Sequence, residues 1–529
     1  MNIVYQGAFL REGLQALGHN LITLPLSDDE DINSMLDGVS ADIDLVLLEI
    51  GILTVIPKNI HKCKHILAAY CIDSPINEFW LSELCRIFDY VFVDQKSTML
   101  HFKDKNIYSQ WMPLCVTSSD FREYNEKKEY DIVFVGNTSQ HRLKRNNLLN
   151  LLKKYFSVTV VQNISSSQML TVFSQAKIVL NENLFSGLTL RVFQGLASGA
   201  LVLTEEGGVG VEDYFRDREH LVCYNPNNII SLFDNILANY DSYAHIADNG
   251  QSACRQYHTS AARAHTLLTA IDRKRTISER HDEATRKYFE TKARYLLKMR
   301  FGGIVNRVIS DFVSLTDAQP PVVAAQALLE LGNIAARNDE LEKAESLYTR
   351  ALHLHNDVYG NLRLALLYIT KGILLQAKHA IALAALKVPK HLMVQGKHAI
   401  GLLSESSQPH ELLFIIANIY FMCGNTFSLG FSKQFQDAFP DTALETASMA
   451  WKLEPLPVIM DFMLSCLKEC GVEGELLPEL VSALQKCRLS DEQILYAAEL
   501  AQRYYDPDLA VRFIDSFKKT REDGRAGGF

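Results

Sequence analysis

The sequence predicts an α/β fold followed by an all-α one: two Rossmann-like domains in succession, then a solenoid of paired helices. Three features predict it. Up to about residue 270, short β-branched runs alternate with helical stretches, the pattern of parallel strands joined by crossover helices. Beyond about residue 320 strand-like runs vanish, and small residues recur with a period of about 33 residues. The 529 residues suffice for about three domains of roughly 100–200 residues each.

In the first domain, residues 1–122, the strands are "NIVYQ", "LITLPL", "IDLVLLEI", "KHILAAYCI" and "YVFVDQ". "WMPLCVTSSDF", broken by Pro113, reads as the crossing to a second domain, residues 123–271. Its strands are "YDIVFV", "SVTVV", "AKIVLN", "GALVLTE" and "HLVCY". Residues 272–318 form a helical linker, whose charged stretch 272–300 reads as a solvated helix between domains. In residues 319–520, Leu331, Gly332, Ala344, Tyr348 and Ala351 fit the tetratricopeptide (TPR) pattern. A second copy places Leu364, Ala365, Tyr368, Ala377, Ile381, Ala384 and Pro389 at equivalent offsets, and later copies are degenerate. The tail "REDGRAGGF" is expected to be disordered.

Composition narrows the function. With 48% hydrophobic and 22% charged residues the chain reads as globular, and a net charge of −9 opposes a role in coating nucleic acid or an acidic membrane. No secretory signal precedes "NIVYQ", and the most apolar run, interrupted by Glu49 and Gly51, is shorter than the ~20 residues of a membrane span. The ten cysteines form no CxxC, and Cys466 and Cys470 read as two half-buried thiols on a helix. A reducing, cytoplasmic location follows. No metal-ligand spacing stands out, so neither metal nor other cofactor is expected.

Ligands of such sheets lie beyond the carboxyl ends of the strands. Asn181 and Asn183 stand at the end of "AKIVLN", and Gly187, Leu188 and Thr189 lead into a helix that Thr189 is placed to cap. A helix N-terminus favours an anion. Arg191, in its first turn, suits a phosphate; the alternative is an exposed arginine paired with a surface carboxylate. The Gln194 amide can both donate and accept, which suits a ribose diol, although it can equally be an ordinary polar helix residue. Glu205, Glu206, Gly207, Gly208 and Gly210 follow the next strand as a turn that lets backbone approach a ligand. Gly136 and Asn137 follow "DIVFV", with Arg142, Lys144 and Arg145 beyond: a diphosphate cradle, or a capped basic helix. On the acceptor side stand Gly7, Asp73, Ser74 and Trp80, with Asp73 a base or a helix cap and Trp80 an aromatic that could stack on a sugar. His258 reads as structural, at a helix start capped by Thr259.

These segments, with "LGHNL", "YCIDSP", "FDYVFVDQKS", "WMPLCV" and "NGQSACRQYHTSAARAHTLL", resemble CgeB-like bacterial glycosyltransferases of the GT-B type over about residues 1–270. The resemblance implies transfer from a nucleotide sugar without metal, the second domain holding the nucleotide and the first presenting the acceptor. It places Gly136 and Gly187 to Arg191 at the diphosphate and Gln194 at the ribose. The GT-B pair of glutamates eight positions apart falls on Ser186 and Gln194. The fused repeats suit a protein acceptor, such as a flagellin or other surface protein; a glycan or lipid acceptor, oligomerisation through the repeats, and a non-catalytic scaffold are the alternatives. Arg191 and Asp73 are the expected catalytic groups, and removal of residues 320–529 is expected to leave nucleotide binding in place.

Overall fold

A computed structural model of the chain describes residues 1–27, 30–51, 55–123, 127–139, 142–183, 187–271, 281–301, 306–426, 440–468, 471–486 and 488–526. The first sheet holds β1 (Asn2–Gln6), β2 (Asn20–Ile22), β3 (Leu45–Ile50), β4 (Leu67–Cys71), β5 (Tyr90–Val93) and β6 (Gln110–Trp111). All pair in parallel, in the order β2-β1-β3-β4-β5-β6. Helices α1 (Arg11–Ala16), α2 (Ile32–Asp37), α3 (Ser74–Leu84) and α4 (Lys96–Asp104) connect them. Every residue of β3 and β4 is buried, as befits strands covered on both faces. The β6 strand runs into the start of the segment expected only as a crossing, at Trp111; two residues are too few to read as a run.

The second sheet holds β7 (Tyr130–Val135), β8 (Val158–Val161), β9 (Ala176–Asn181), β10 (Leu201–Glu205) and β11 (Val222–Tyr224), again parallel, in the order β11-β10-β9-β7-β8. Helices α5 (Leu143–Lys153), α6 (Ser166–Ser174), α7 (Leu190–Ala197), α8 (Ile229–Ala238), α9 (Ala244–Tyr257) and α10 (Ser260–Ala270) cover it and return. Alternation divides its side chains: Ile132, Phe134, Ile178, Leu180, Leu201 and Leu203 face one core, whereas Val133, Val179 and Val202 face the other. The last helix crosses back to the first domain. Ser260 Oγ donates to Phe9 O (2.7 Å) and accepts from Gly13 N (2.9 Å). A Cβ on Gly13 would stand 2.3 Å from the Ser260 carbonyl oxygen, so only glycine admits this contact.

The helical half comprises α11 (Glu283–Phe301), α12 (Asn306–Val313), α13 (Pro321–Arg337), α14 (Leu341–Leu354), α15 (Val358–Thr370), α16 (Leu374–Leu386), α17 (Met393–Glu405), α18 (Pro409–Met422), α19 (Ala443–Leu453), α20 (Pro457–Lys468), α21 (Leu477–Gln485), α22 (Asp491–Arg503) and α23 (Pro507–Ala526). Gly332 of α13 lies against Tyr348 of α14, whose Cε1 would be 2.4 Å from a Cβ at that position. The expected solvated linker is a correction: α11 is packed, with Tyr288, Ala293 and Tyr295 buried. It belongs to the first domain's flank, where His61 Nδ1 lies 2.6 Å from Glu290 and Lys292 pairs with Glu83 at 3.1 Å. Glu290, Lys292 and Arg294 are paired rather than solvated, which sequence alone does not distinguish. Residues 272–280 of that stretch lie outside the described residues, as does Cys470; Cys466 is buried on α20. The expected disordered tail is also corrected in part, since α23 continues through Ala526. At the far end, the turn between α22 and α23 enters the second α/β domain: Tyr505 is 2% exposed, within the core of β7, β9 and β10. The helical half therefore starts on one α/β domain and finishes in the other.

Candidate functional site

The carboxyl ends of β7, β9 and β10 meet the N-termini of α5 and α7. Gly136 follows β7 directly, and a Cβ there would lie 2.7 Å from Nη2 of Arg191. Arg191, in the first turn of α7, donates from Nε to Val135 O (2.9 Å) and from Nη1 to Asn181 Oδ1 (3.0 Å). Its guanidinium lies 4.4 Å from the centre of the Phe134 ring, a cation–π contact. Desolvation, followed by the neighbouring Arg145, lowers its pKa to about 10, so it remains a cation at neutral pH. It is not a surface arginine paired with a carboxylate. Nη2 has no hydrogen-bond acceptor among the described residues, so one face of the fork stays free for an anion.

Arg145 attends the same ring at 5.1 Å. It pairs with Glu182 (2.9 Å) and donates to Asn137 O (2.7 Å), fixing the turn after β7. Glu182 is 1% exposed. It escaped the sequence reading although it lies between two residues that were singled out; its partner is 37 positions away.

Asn181 and Asn183 are buried and committed to the frame. Asn181 Nδ2 donates to Asn183 Oδ1 (2.8 Å) and Thr204 Oγ1 (2.9 Å), and Asn183 Nδ2 to Glu205 O (3.0 Å). Thr189 stands at the N-cap position of α7, but its hydroxyl donates to Asn181 Oδ1 (2.7 Å) and makes no cap bond. The expected side-chain cap is therefore absent. Val192 N bonds Thr189 O (3.1 Å), which leaves the amides of Leu190 and Arg191 at the helix start open to an anion. Leu188 offers its carbonyl to Gln95 Nε2 of the first domain at 2.7 Å. Gly187 bridges to Val209 beneath the glycine turn. Gly207 adopts φ 77° with open space around it, and Gly208 is pressed on Asn183, whose Nδ2 would lie 2.7 Å from a Cβ. Glu206 is exposed and accepts from Asn225 Nδ2 (2.7 Å). Gln194 is buried on α7 rather than displayed as a surface residue. Ser186 lies outside the described residues.

Arg142 occupies the N-cap position of α5, within electrostatic reach of Asp73 on the first domain. Asp73 and Arg142 thus set opposite charges on the two α/β domains within reach of each other. Asp73 holds a left-handed backbone, φ 50°, and makes no cap bond, so the helix-cap alternative falls. What holds this strained turn is Asp94 at the end of β5, which accepts from Asp73 N (2.8 Å), Ser74 N (3.0 Å) and Ser74 Oγ (2.6 Å). Aspartate is among the few non-glycine residues that tolerate this conformation. Desolvation raises the pKa of Asp73, and Arg142 opposes the rise. Burial pushes Asp94 up to about 6, its hydrogen bonds from Ser74 opposing.

Two acceptor-side expectations are corrected. Ser74 is fully buried and bound to Asp94, not displayed. Trp80 is fully buried; its Nε1 donates to Asn77 Oδ1 (3.1 Å), and it lies in the core shared with Ala293 of α11, where no sugar can reach it. Gly7 is glycine because Glu49 fills the space of its side chain, Cδ standing 2.2 Å from where a Cβ would be. Glu49 in turn accepts from the amides of Ala8 (2.6 Å), Phe9 (3.1 Å) and Leu10 (3.0 Å). The aromatic at the joint is instead Trp111, which lies on Gly210 and 5.0 Å from the Tyr214 ring. His258 is buried among Phe193, Tyr214 and Phe215, with Arg263 Nη2 at 2.8 Å. Desolvation and then Arg263 depress it to about 3, so it is a neutral structural group.

Residues 121–269 match a family model described as "Glycosyl transferase-like". That span is the second α/β domain with its return helix, and it contains the arginines, the open helix end and the glycine turns described above. No curated protein matches the chain. Among solved structures, sucrose-phosphate synthase from Thermosynechococcus elongatus is similar at 12% identity and TM-score 0.38, over 51% of this chain and 98% of that one. A glycosyltransferase from Rickettsia africae is similar at 13% and 0.33, over 51% and 96%. The pneumococcal O-GlcNAc transferase GtfA is similar at 9% and 0.31, over 42% and 56%. Among the described residues no helix is long and apolar enough to cross a membrane, and no three His, Cys, Asp or Glu side chains group to hold a metal ion.

Proposed function

We propose that the chain is a CgeB-like GT-B glycosyltransferase, moving a sugar from a nucleotide-sugar donor to a protein acceptor recruited by TPR-like repeats. One observation carries the reading: uncapped amides of α7, the glycine turn at Gly136 and the free edge of Arg191 converge inside the segment that matches glycosyl transferases. The donor diphosphate lies against these groups and Arg142. As the glycosidic bond breaks, negative charge grows on the leaving diphosphate. Amides and guanidiniums already in position stabilise that charge without reorganising, and no metal is invoked. Arg191 is 4.4 Å from Phe134 and bound to two acceptors, so its free edge is held in place before substrate arrives.

Asp73 is the base that takes the proton of the acceptor hydroxyl. Arg142 of the second domain acts on it electrostatically, and its raised pKa brings it nearer the range useful to a base. The helical half, through which the acceptor arrives, packs on both α/β domains. The test is release of nucleoside diphosphate from a panel of sugar nucleotides, with thermal shift as a second measure. A chain that neither releases nor binds any nucleoside diphosphate is a scaffold, and the enzyme reading falls. Mass spectrometry of surface proteins from cells with and without the chain then identifies the acceptor; unchanged protein masses would remove the protein-acceptor part.

A further inference from the structure

The turn Tyr504–Tyr505–Asp506 of the helical half lies more than two hundred residues beyond the segment 121–269 matched by the family model, yet it is built into the second α/β domain. Tyr505 adopts φ 57°, the left-handed region that a tyrosine rarely occupies, so surrounding contacts must hold it there. Asn147 of α5 donates to Tyr504 O (3.1 Å), and Lys144 of α5 lies 5.7 Å from the Tyr504 ring. The Tyr505 ring packs near Tyr224, centroids 6.3 Å apart. Its hydroxyl donates to Glu205 Oε1 at 2.9 Å, an oxygen that also receives Lys144 Nζ at 2.6 Å.

Glu205 is the last residue of β10, immediately before the Glu206-Gly207-Gly208 turn, and is 8% exposed. Its second oxygen, Oε2, is buried with no partner among the described residues. The geometry points to a role for this pair that rests on the donor reading above: Tyr505 is a positioning residue of the donor site, fixing Glu205 together with Lys144 and so holding the start of the Glu206-Gly207-Gly208 turn against which the nucleotide sugar lies. The helical half thus contributes to donor binding as well as to any acceptor.

The test uses the full chain and four probes, the diphosphates of uridine, guanosine, adenosine and thymidine, each also as its glucose conjugate, by titration calorimetry. Tyr505→Phe keeps the ring and removes the hydroxyl. Its melting temperature should stay close to the parent's, while the best-bound probe weakens about tenfold, the loss of one hydrogen bond to a charged group. Glu205→Gln should weaken it similarly, and the double variant should be no worse than Glu205→Gln, because Tyr505 acts through Glu205. A merely structural tyrosine would shift the melting temperature and leave affinity alone. Parent-like affinity in Tyr505→Phe, or losses that add in the double variant, would overturn the role. If the parent itself binds none of the probes, the donor reading has failed, a result distinct from a parent that binds and a variant that binds equally.

Discussion

At the residue scale, Asp73 and Arg142 make the sharpest prediction because each acts on the other across the cleft. A base works as the carboxylate, so kcat/KM must fall as pH drops through the pKa of Asp73. That pKa is raised above 3.8 by desolvation and held down by Arg142. The acid limb of the profile should therefore lie above 3.8, and in Arg142→Ala, assayed at saturating donor, it should move to higher pH. Asp73→Asn keeps a residue that tolerates the left-handed backbone, and should cut turnover about 10²–10⁴-fold with donor affinity unchanged. Normal turnover in Asp73→Asn would remove it as the base. Arg191 is a different kind of residue. It holds Val135 and Asn181 as well as offering a free edge. Arg191→Lys keeps the charge but not the fork, so calorimetry should show donor affinity reduced about tenfold or more, together with a lower melting temperature. A variant with donor affinity intact would leave Arg191 a purely structural group.

At the scale of elements, strands were legible because parallel strands buried on both faces write themselves as β-branched runs; β3 and β9 read directly from "LVLLEI" and "AKIVLN". The ends of these strands were legible for the same reason, and they locate Gly136 and the α7 start. What escaped was set by contacts distant in sequence. Glu49 supports a loop 40 positions away, and Trp80 looked like a cleft aromatic because nothing local announces that α11 covers it. The start of α10 gives an element-scale test. His258 is held near 3 in the fold, against 6.5 when free. Below about pH 6.5 the unfolded chain takes up a proton that the native chain does not, so stability falls as pH falls toward 3. His258→Gln should flatten that part of the profile in urea melts between pH 6.5 and 4. An unchanged slope would mean that the imidazole is not held neutral.

At the scale of the whole molecule, the repeats looked like a separable appendage, which is why their removal was expected to spare nucleotide binding. The structure argues the opposite. The helical half is anchored at both ends, by α11 against the first domain and by Tyr505 inside the core of the second. Cutting the chain at residue 319 would leave an empty socket beside Tyr224 and Glu205, and truncating a buried aromatic alone costs about 3–5 kcal/mol. That is a large share of the roughly 5–15 kcal/mol that holds a domain folded. A chain of residues 1–318 should therefore melt at lower temperature than the full protein and lose nucleoside diphosphate binding, and Tyr505→Ala in the full chain should reproduce part of both effects. Adding residues 319–529 back as a separate polypeptide should restore them if the socket is the cause. A truncated chain that melts and binds like the full one would show instead that the turn at Tyr505 rests on a domain already complete without it.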